Sequence, residues 1–393
     1  MRVLNLKNFI FGNSVYAFFN INLMTFVLTA FMKEHGYLQG QISWLYSVES
    51  VVWFFGLYIS GIIFDTKGAR TAFLFGRFAD LFSVILLFFP NTANLVIVMT
   101  CIGLAKGVNY GKYTSYIYNS LSLAGKLHLY PRLASAFYLT WDFAVSIGSF
   151  VSFFILKRYD YNILIIIAIL LKVLAIVCVF IFVPNCKDAD FSELKSPSVI
   201  SIYKTIYECA KKNSTFTYML IFYGLLYFFS YPLGATIGSI WLVEAGYNAK
   251  QIALYNGVFT ACSSFGALLP IVWLKTGIKI KSCIFISLIQ LCFVLFSAII
   301  NNIVMFIIAM CFIAITYALM EVSIECKIED YSNKKVRGSA IAMAISLDTL
   351  LIAVNVMLVS FFGKMLSYNF GVAIIVLPIF LFLLFISKKV KTI

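Results

Sequence analysis

Seven ionisable residues, Glu49, Arg77, Asp80, Lys106, Asp142, Lys172 and Asp348, stand inside long apolar runs rather than between them. A charge near the middle of a membrane-crossing helix costs about 2.5 to 3.5 kcal/mol on insertion scales, so each one requires a partner, a wet cavity or a task. Arg77 and Asp80 are three apart and share a helix face, which predicts a local ion pair. Lys172 has no such neighbour in its own run. Glu49, Lys106, Asp142 and Asp348 sit at comparable depths in four different runs. A carboxylate in a partly dry cavity beside a lysine loads and releases a proton as its access to water changes. The alternative is a set of static salt bridges between helices.

Polar and ring-bearing residues accompany these charges: Asn109, Tyr110, Tyr138 and Trp141 early in the chain, Tyr227 and Tyr317 later. A cavity lined by them suits an amphipathic organic solute, or a cation against ring faces. With 17% aromatic residues, rings also fall on lipid-facing belts. The chemistry of an enzyme is missing. Two histidines form no Ser/His/Asp or His-Glu-x-x-His constellation, and no phosphate-cradling Gly-x-x-x-x-Gly-Lys-Ser/Thr loop is present. The nine cysteines contain no Cys-x-x-Cys pair, so neither metal nor disulfide is expected, and no cofactor is implied.

The elements that must position these residues follow from composition. The chain has 393 residues, 62% hydrophobic and only 12% charged, with a mean hydropathy of +0.96. A soluble domain carries about 25% charged residues. Twelve runs approach the roughly 20 residues needed to cross hydrocarbon: 8–32, 42–64, 71–90, 94–120, 132–156, 162–183, 214–241, 250–273, 281–299, 302–326, 337–362 and 366–387. Continuous runs fit helices, since barrel strands would alternate over about ten residues. The net charge of +14 is explained by topology rather than by nucleic acid. With both termini in the cytoplasm, most Lys and Arg fall in inner segments, and the outer ones hold only Lys33, Lys157, Arg158, Lys250 and Lys364.

One long break, 184–213, separates two six-helix halves, 1–183 and 214–393. Ser196-Pro197 can start a short helix there, with Lys204, Lys211 and Lys212 on its polar side, lying on the inner membrane surface. The halves repeat. Phe18-Phe19, Glu34, Gly36-Tyr37 and Gln41-Ile42 recur in one register as Phe228-Phe229, Glu244, Gly246-Tyr247 and Gln251-Ile252. Six crossings per half make this a parallel repeat.

Between the second and third spans lies Gly61-Ile-Ile-Phe-Asp65-Thr-Lys67-Gly68-Ala-Arg70, read as a short charged turn. This Gly-x-x-x-Asp-x-x-Gly-x-Arg pattern, within two parallel six-helix repeats, resembles the major facilitator superfamily over the whole chain. Lys106 and its glycine-containing surroundings resemble the family's basic fourth-helix stretch. Asp142-Phe-Ala144-Val-Ser-Ile-Gly148-Ser149 is similar to the fifth-helix pattern of its drug/proton antiporters, with Ala144 and Ser149 in place of Gly and Pro. Arg337-Gly338 resembles the matching inner loop of the second half.

The resemblance implies a central cavity opening to each side in turn. It implies a cytoplasmic gate at Gly61, Asp65, Gly68, Arg70 and Arg337, with Asp65 near Gly338-Ser339 and Arg70 paired to an acid of a nearby inner loop. Glu321 and Glu325 are expected near water at the inner end, as partners of Lys334, Lys335 or Arg337. The implied function is secondary active transport of a small organic solute, coupled to protons and directed outward. An uptake carrier and a receptor that does not translocate are the alternatives. The expected setting is a multi-pass monomer in a bacterial inner membrane, with solute, protons and lipid as its partners.

Overall fold

The computed structural model describes residues 23–67, 69–109, 129–183, 211–230, 238–273, 280–300 and 302–331, with Ile21, Leu121, Gly125, Lys126 and a few single positions in 204–208 and 346–383. Regular structure among the described residues is helical throughout. A 3-10 turn at Leu23–Phe26 leads into α1 (Leu28–Glu34), α2 (Gln39–Lys67), α3 (Ala69–Leu86), α4 (Thr92–Asn109), α5 (Tyr130–Arg158) and α6 (Tyr161–Phe182). Then follow α7 (Ser214–Ser230), α8 (Gly238–Glu244), α9 (Ala249–Trp273), α10 (Ile280–Ile300) and α11 (Ile303–Tyr331). The expected seventh span contributes both α7 and α8. Most of 184–213 and of the expected spans at 337–362 and 366–387 lies outside the described residues.

Four of these helices are long and apolar enough to cross a membrane, over Arg132–Arg158, Tyr161–Phe182, Ala249–Leu269 and Ile303–Glu321. Large apolar side chains face outward, among them Phe55, Phe78, Phe143, Phe154 and Phe265, while Glu49, Arg77, Asp80, Lys172 and Glu321 are buried. An apolar exterior over a charged interior is the arrangement that hydrocarbon surroundings select. Glu321 differs from expectation. At 4% exposure it lies inside the bundle rather than at a water-reached end, because α11 continues past it to Tyr331.

The repeated residues build the same turn twice. After α1, Gly36 takes φ +84°, with Gly36 N–H on the Lys33 carbonyl and Tyr37 N–H on that of Met32. After α8, Gly246 takes φ +87°, with Gly246 N–H on the Val243 carbonyl and Tyr247 N–H on that of Leu242. Glycine is required because a Cβ is strained at such φ. The glutamines then start the next helices, Gln41 Oε1 accepting from Leu38 N–H and Gln251 Oε1 from Asn248 N–H. Asn91 and Asn302 cap α4 and α11 in parallel fashion, through Asn94 N–H and through Val304 and Met305 N–H.

The charged stretch at 61–70 differs from the expected turn. α2 runs through Gly61 and Asp65 to Lys67, and α3 begins at Ala69. No proline interrupts 61–67, and helical hydrogen bonding keeps the backbone groups of that part satisfied near hydrocarbon. Within the first half α2 packs on α4, and α3 on α4 and α6; in the second, α9 packs on α11. α5 and α9 lie side by side, and with α1 and α8 they join the halves.

Candidate functional site

Helix α4 is brought onto α2 by missing side chains. A Cβ on Gly103 would collide with the Glu49 carbonyl, and one on Gly107 with the backbone at Trp53 and Gly56. The Gly-x-x-x-Gly spacing puts both glycines on one face, so the two backbones approach closely. Lys106, adjacent on that face, reaches Glu49: Nζ to Oε1 is 2.5 Å. Its ammonium also lies 5.4 Å from the centre of the Trp53 ring, a distance at which a cation is held by the ring face. Two of the four depth-matched charges are therefore one ion pair.

Asp142 is elsewhere. It stands on α5 at the boundary with α9, where its Oδ2 accepts a hydrogen bond of 2.6 Å from Ser263 Oγ. This bond joins the two halves. Tyr138 and Trp141 lie half-buried one turn away and next to it, each in ring contact with Phe137. Tyr317 is buried on α11. Asn109 and Tyr227 fall on α4 and α7, with side chains outside the described set, and Tyr110 and Asp348 lie outside the described residues.

The other intramembrane charges form a separate cluster. Arg77 Nη1 and Asp80 Oδ2 are 3.2 Å apart, as their spacing predicts. Lys172, unexplained by its own run, reaches the same oxygen from α6 at 2.6 Å and is wholly buried. Of the gate residues, Arg70 binds carbonyls and, among the described residues, no acid: Nε donates to the Val183 carbonyl at 2.7 Å and Nη2 to that of Phe180 at 3.0 Å. A cation at the end of α6 meets carbonyls that have no partner within the helix, which competes with any loop acid. Gly61 and Asp65 lie on α2, the side chain of Asp65 outside the described set; Gly68 and Arg337 are outside the described residues.

The halves meet through further polar contacts that the sequence reading missed. At the end of the bundle that carries the Gly36 and Gly246 turns, Lys33 pairs with Glu244 at 3.3 Å. Beside it, within the first half, Glu34 accepts from Tyr161 OH at 2.9 Å. Deeper in, Asn256 Nδ2 donates to the Phe26 carbonyl at 3.0 Å, Ser146 Oγ to that of Gly257 at 2.9 Å and Ser47 Oγ to that of Ala353 at 3.3 Å. The recurrence of Glu34 as Glu244 was the available signal, but pairing across halves is not readable from register alone.

No family model matches this sequence, and no curated protein matches it significantly. Solved structures do match. The human organic anion transporter MFSD10 superposes with a TM-score of 0.73 at 13% identity, over 98% of this chain and 99% of that one. A POT family transporter in complex with a thioalcohol-conjugated peptide gives 0.71 at 15% identity, over 98% and 96%. A D-xylose–proton symporter gives 0.68 at 12% identity, over 95% and 96%. The chain has the fold of the major facilitator transporters.

Proposed function

From a chain with that fold, we propose a secondary active transporter that moves a small organic solute by rocking of two six-helix halves about a central cavity, with proton coupling. The observation that carries this reading is the distribution of polar groups. Ionisable side chains are buried inside the bundle, and among the described residues the halves are joined by single hydrogen bonds and one half-exposed ion pair rather than by a locked network. Such an interface separates and re-forms at modest expense in free energy. In the proposed topology, with both termini in the cytoplasm, Lys33 and Glu244 lie on the outer face, and the joined end is the closed outer gate.

Carboxylates of the kind that couple protons are Glu49 and Asp142. The 61–70 segment remains our proposed inner gate through Asp65, whereas Arg70 anchors α3 to the end of α6. The structural neighbours named above include carriers of an organic anion, a peptide and a sugar, which supports transport without choosing a solute. The test is counterflow in proteoliposomes: wild type should exchange at least one labelled organic solute. Bridging Lys33→Cys and Glu244→Cys with a short bifunctional thiol reagent should stop that exchange. Exchange that continues at full rate in the bridged protein would remove the rocking mechanism, and a receptor or an enzyme would give no exchange at all.

A further inference from the structure

Resting on the transport reading, we infer that an organic carboxylate replaces Glu49 on Lys106, and that Glu49 takes a proton as it is released. The first ground is unequal access. The Lys106 side chain is 24% exposed and that of Glu49 only 5%, so an arriving group meets the ammonium first. Lys106 also stands away from the most exposed large apolar residue of its own helix. Ile97, 43% exposed on the same helix, lies about two and a half turns from Lys106, hence on the opposite face.

The second ground is that the pair is not needed for packing. The second half brings α9 onto α11 in the same manner, with Gly266 against the Ile315 backbone. There Phe259 stands in the register of Glu49, and Tyr317 falls where Lys106 does when each helix is counted from its capping asparagine. That helix contact forms with neutral residues at both positions. The charges in the first half therefore answer to something other than cohesion.

The third ground is chemical balance. Lys106 stays an ammonium throughout, with the Trp53 ring holding it in place. When the incoming carboxylate takes the ammonium, Glu49 loses the cation it pairs with among the described residues, and a buried carboxylate so placed persists in the membrane only in its neutral form. Among the described residues, the other ion-paired or hydrogen-bonded charges offer no substitute. Arg77 and Lys172 converge on Asp80, Arg70 is bound to the end of α6, Lys33 and Glu34 are held by Glu244 and Tyr161, and Asp142 takes Ser263. The proton comes from water entering with the solute, so one carboxylate and one proton move together with no net charge. An acidic exterior then drives uptake, the reverse of the outward direction implied by the fifth-helix resemblance.

The experiment is counterflow and lumenal pH recording in proteoliposomes of the full chain, with three matched probe sets: lactate, benzoate and indole-3-acetate; their primary amides; and amines of similar size. Wild type is expected to exchange carboxylates, to acidify the lumen in step with their entry, and to ignore membrane potential. Lys106→Gln should lower carboxylate exchange about tenfold or more, the loss expected for a charged hydrogen bond, with Lys106→Arg recovering part of it. Glu49→Gln should abolish accumulation driven by a pH gradient and the pH dependence of exchange; size-exclusion profiles identify any variant that misfolds. Exchange of amides or amines with inert carboxylates, or carboxylate entry without proton entry, overturns this inference and leaves transport standing. Silence of all three sets in wild type counts against the transport reading itself.

Discussion

At the scale of single residues, the Arg77–Asp80–Lys172 cluster shows how charge arithmetic ranks substitutions. Two cations share one carboxylate, all three buried. Replacing Asp80 by Asn leaves two like charges facing each other in a low-dielectric interior, and losing one member of a buried pair costs about 3 to 5 kcal/mol. Replacing Lys172 by Met leaves a balanced pair and an apolar side chain on α6. Asp80→Asn should therefore lower the melting temperature in detergent far more than Lys172→Met. The Arg77–Asp80 half of this cluster was legible in the sequence because three residues is a helix spacing. Lys172 was not, because its partner is on α3, and only packing brings α6 there.

At the scale of elements, close helix contacts depend on glycine. Gly107→Leu would push α4 away from α2 where Trp53 and Gly56 now touch it. Overpacking of this kind costs about 1 to 3 kcal/mol, and the displaced Lys106 should cost transport as well as stability. Serine in place of glycine should be intermediate in both, checked by melting and by counterflow. The turn glycines give a different signature. Gly36 and Gly246 have open space where a Cβ would go but adopt left-handed φ. Gly36→Ala and Gly246→Ala should each destabilise by about 1 kcal/mol, and by similar amounts, since the two turns share their hydrogen-bond pattern. Unequal losses would show that the repeat is one of sequence and not of energetics.

At the scale of the whole molecule, the proposed transport mechanism gives the contacts between halves the task of deciding which side is closed. The Lys33–Glu244 pair is exposed on both members, so it adds less than about 1 kcal/mol to folding. In the proposed mechanism it still biases the balance between two arrangements of similar free energy. Lys33→Glu should leave the melting temperature nearly unchanged while increasing labelling of a cysteine introduced at Asn256 by an outside thiol reagent. The charge swap Lys33→Glu with Glu244→Lys should return labelling to the wild-type level. At the other side of the proposed membrane, Asp65→Asn should impair transport while surface expression stays intact.

The sequence by itself determined the helical, membrane-embedded character of the chain, because hydrocarbon permits few solutions and a run of apolar residues states its own requirement. It also carried the internal repeat, since Gly36 with Gly246 and Gln41 with Gln251 perform local tasks that depend only on neighbours in the chain. Glu49, Lys106 and Asp142 stood out for the same reason, each being a charge where hydrocarbon tolerates none. What only the tertiary structure decided was partnership. Glu49 belongs to Lys106 through a glycine contact between α2 and α4, Asp142 to Ser263 across the halves, and Arg70 to the carbonyls at the end of α6. Each of these joins helices far apart in the chain, and which helix faces which is set by packing of whole surfaces, a property that no local spacing encodes.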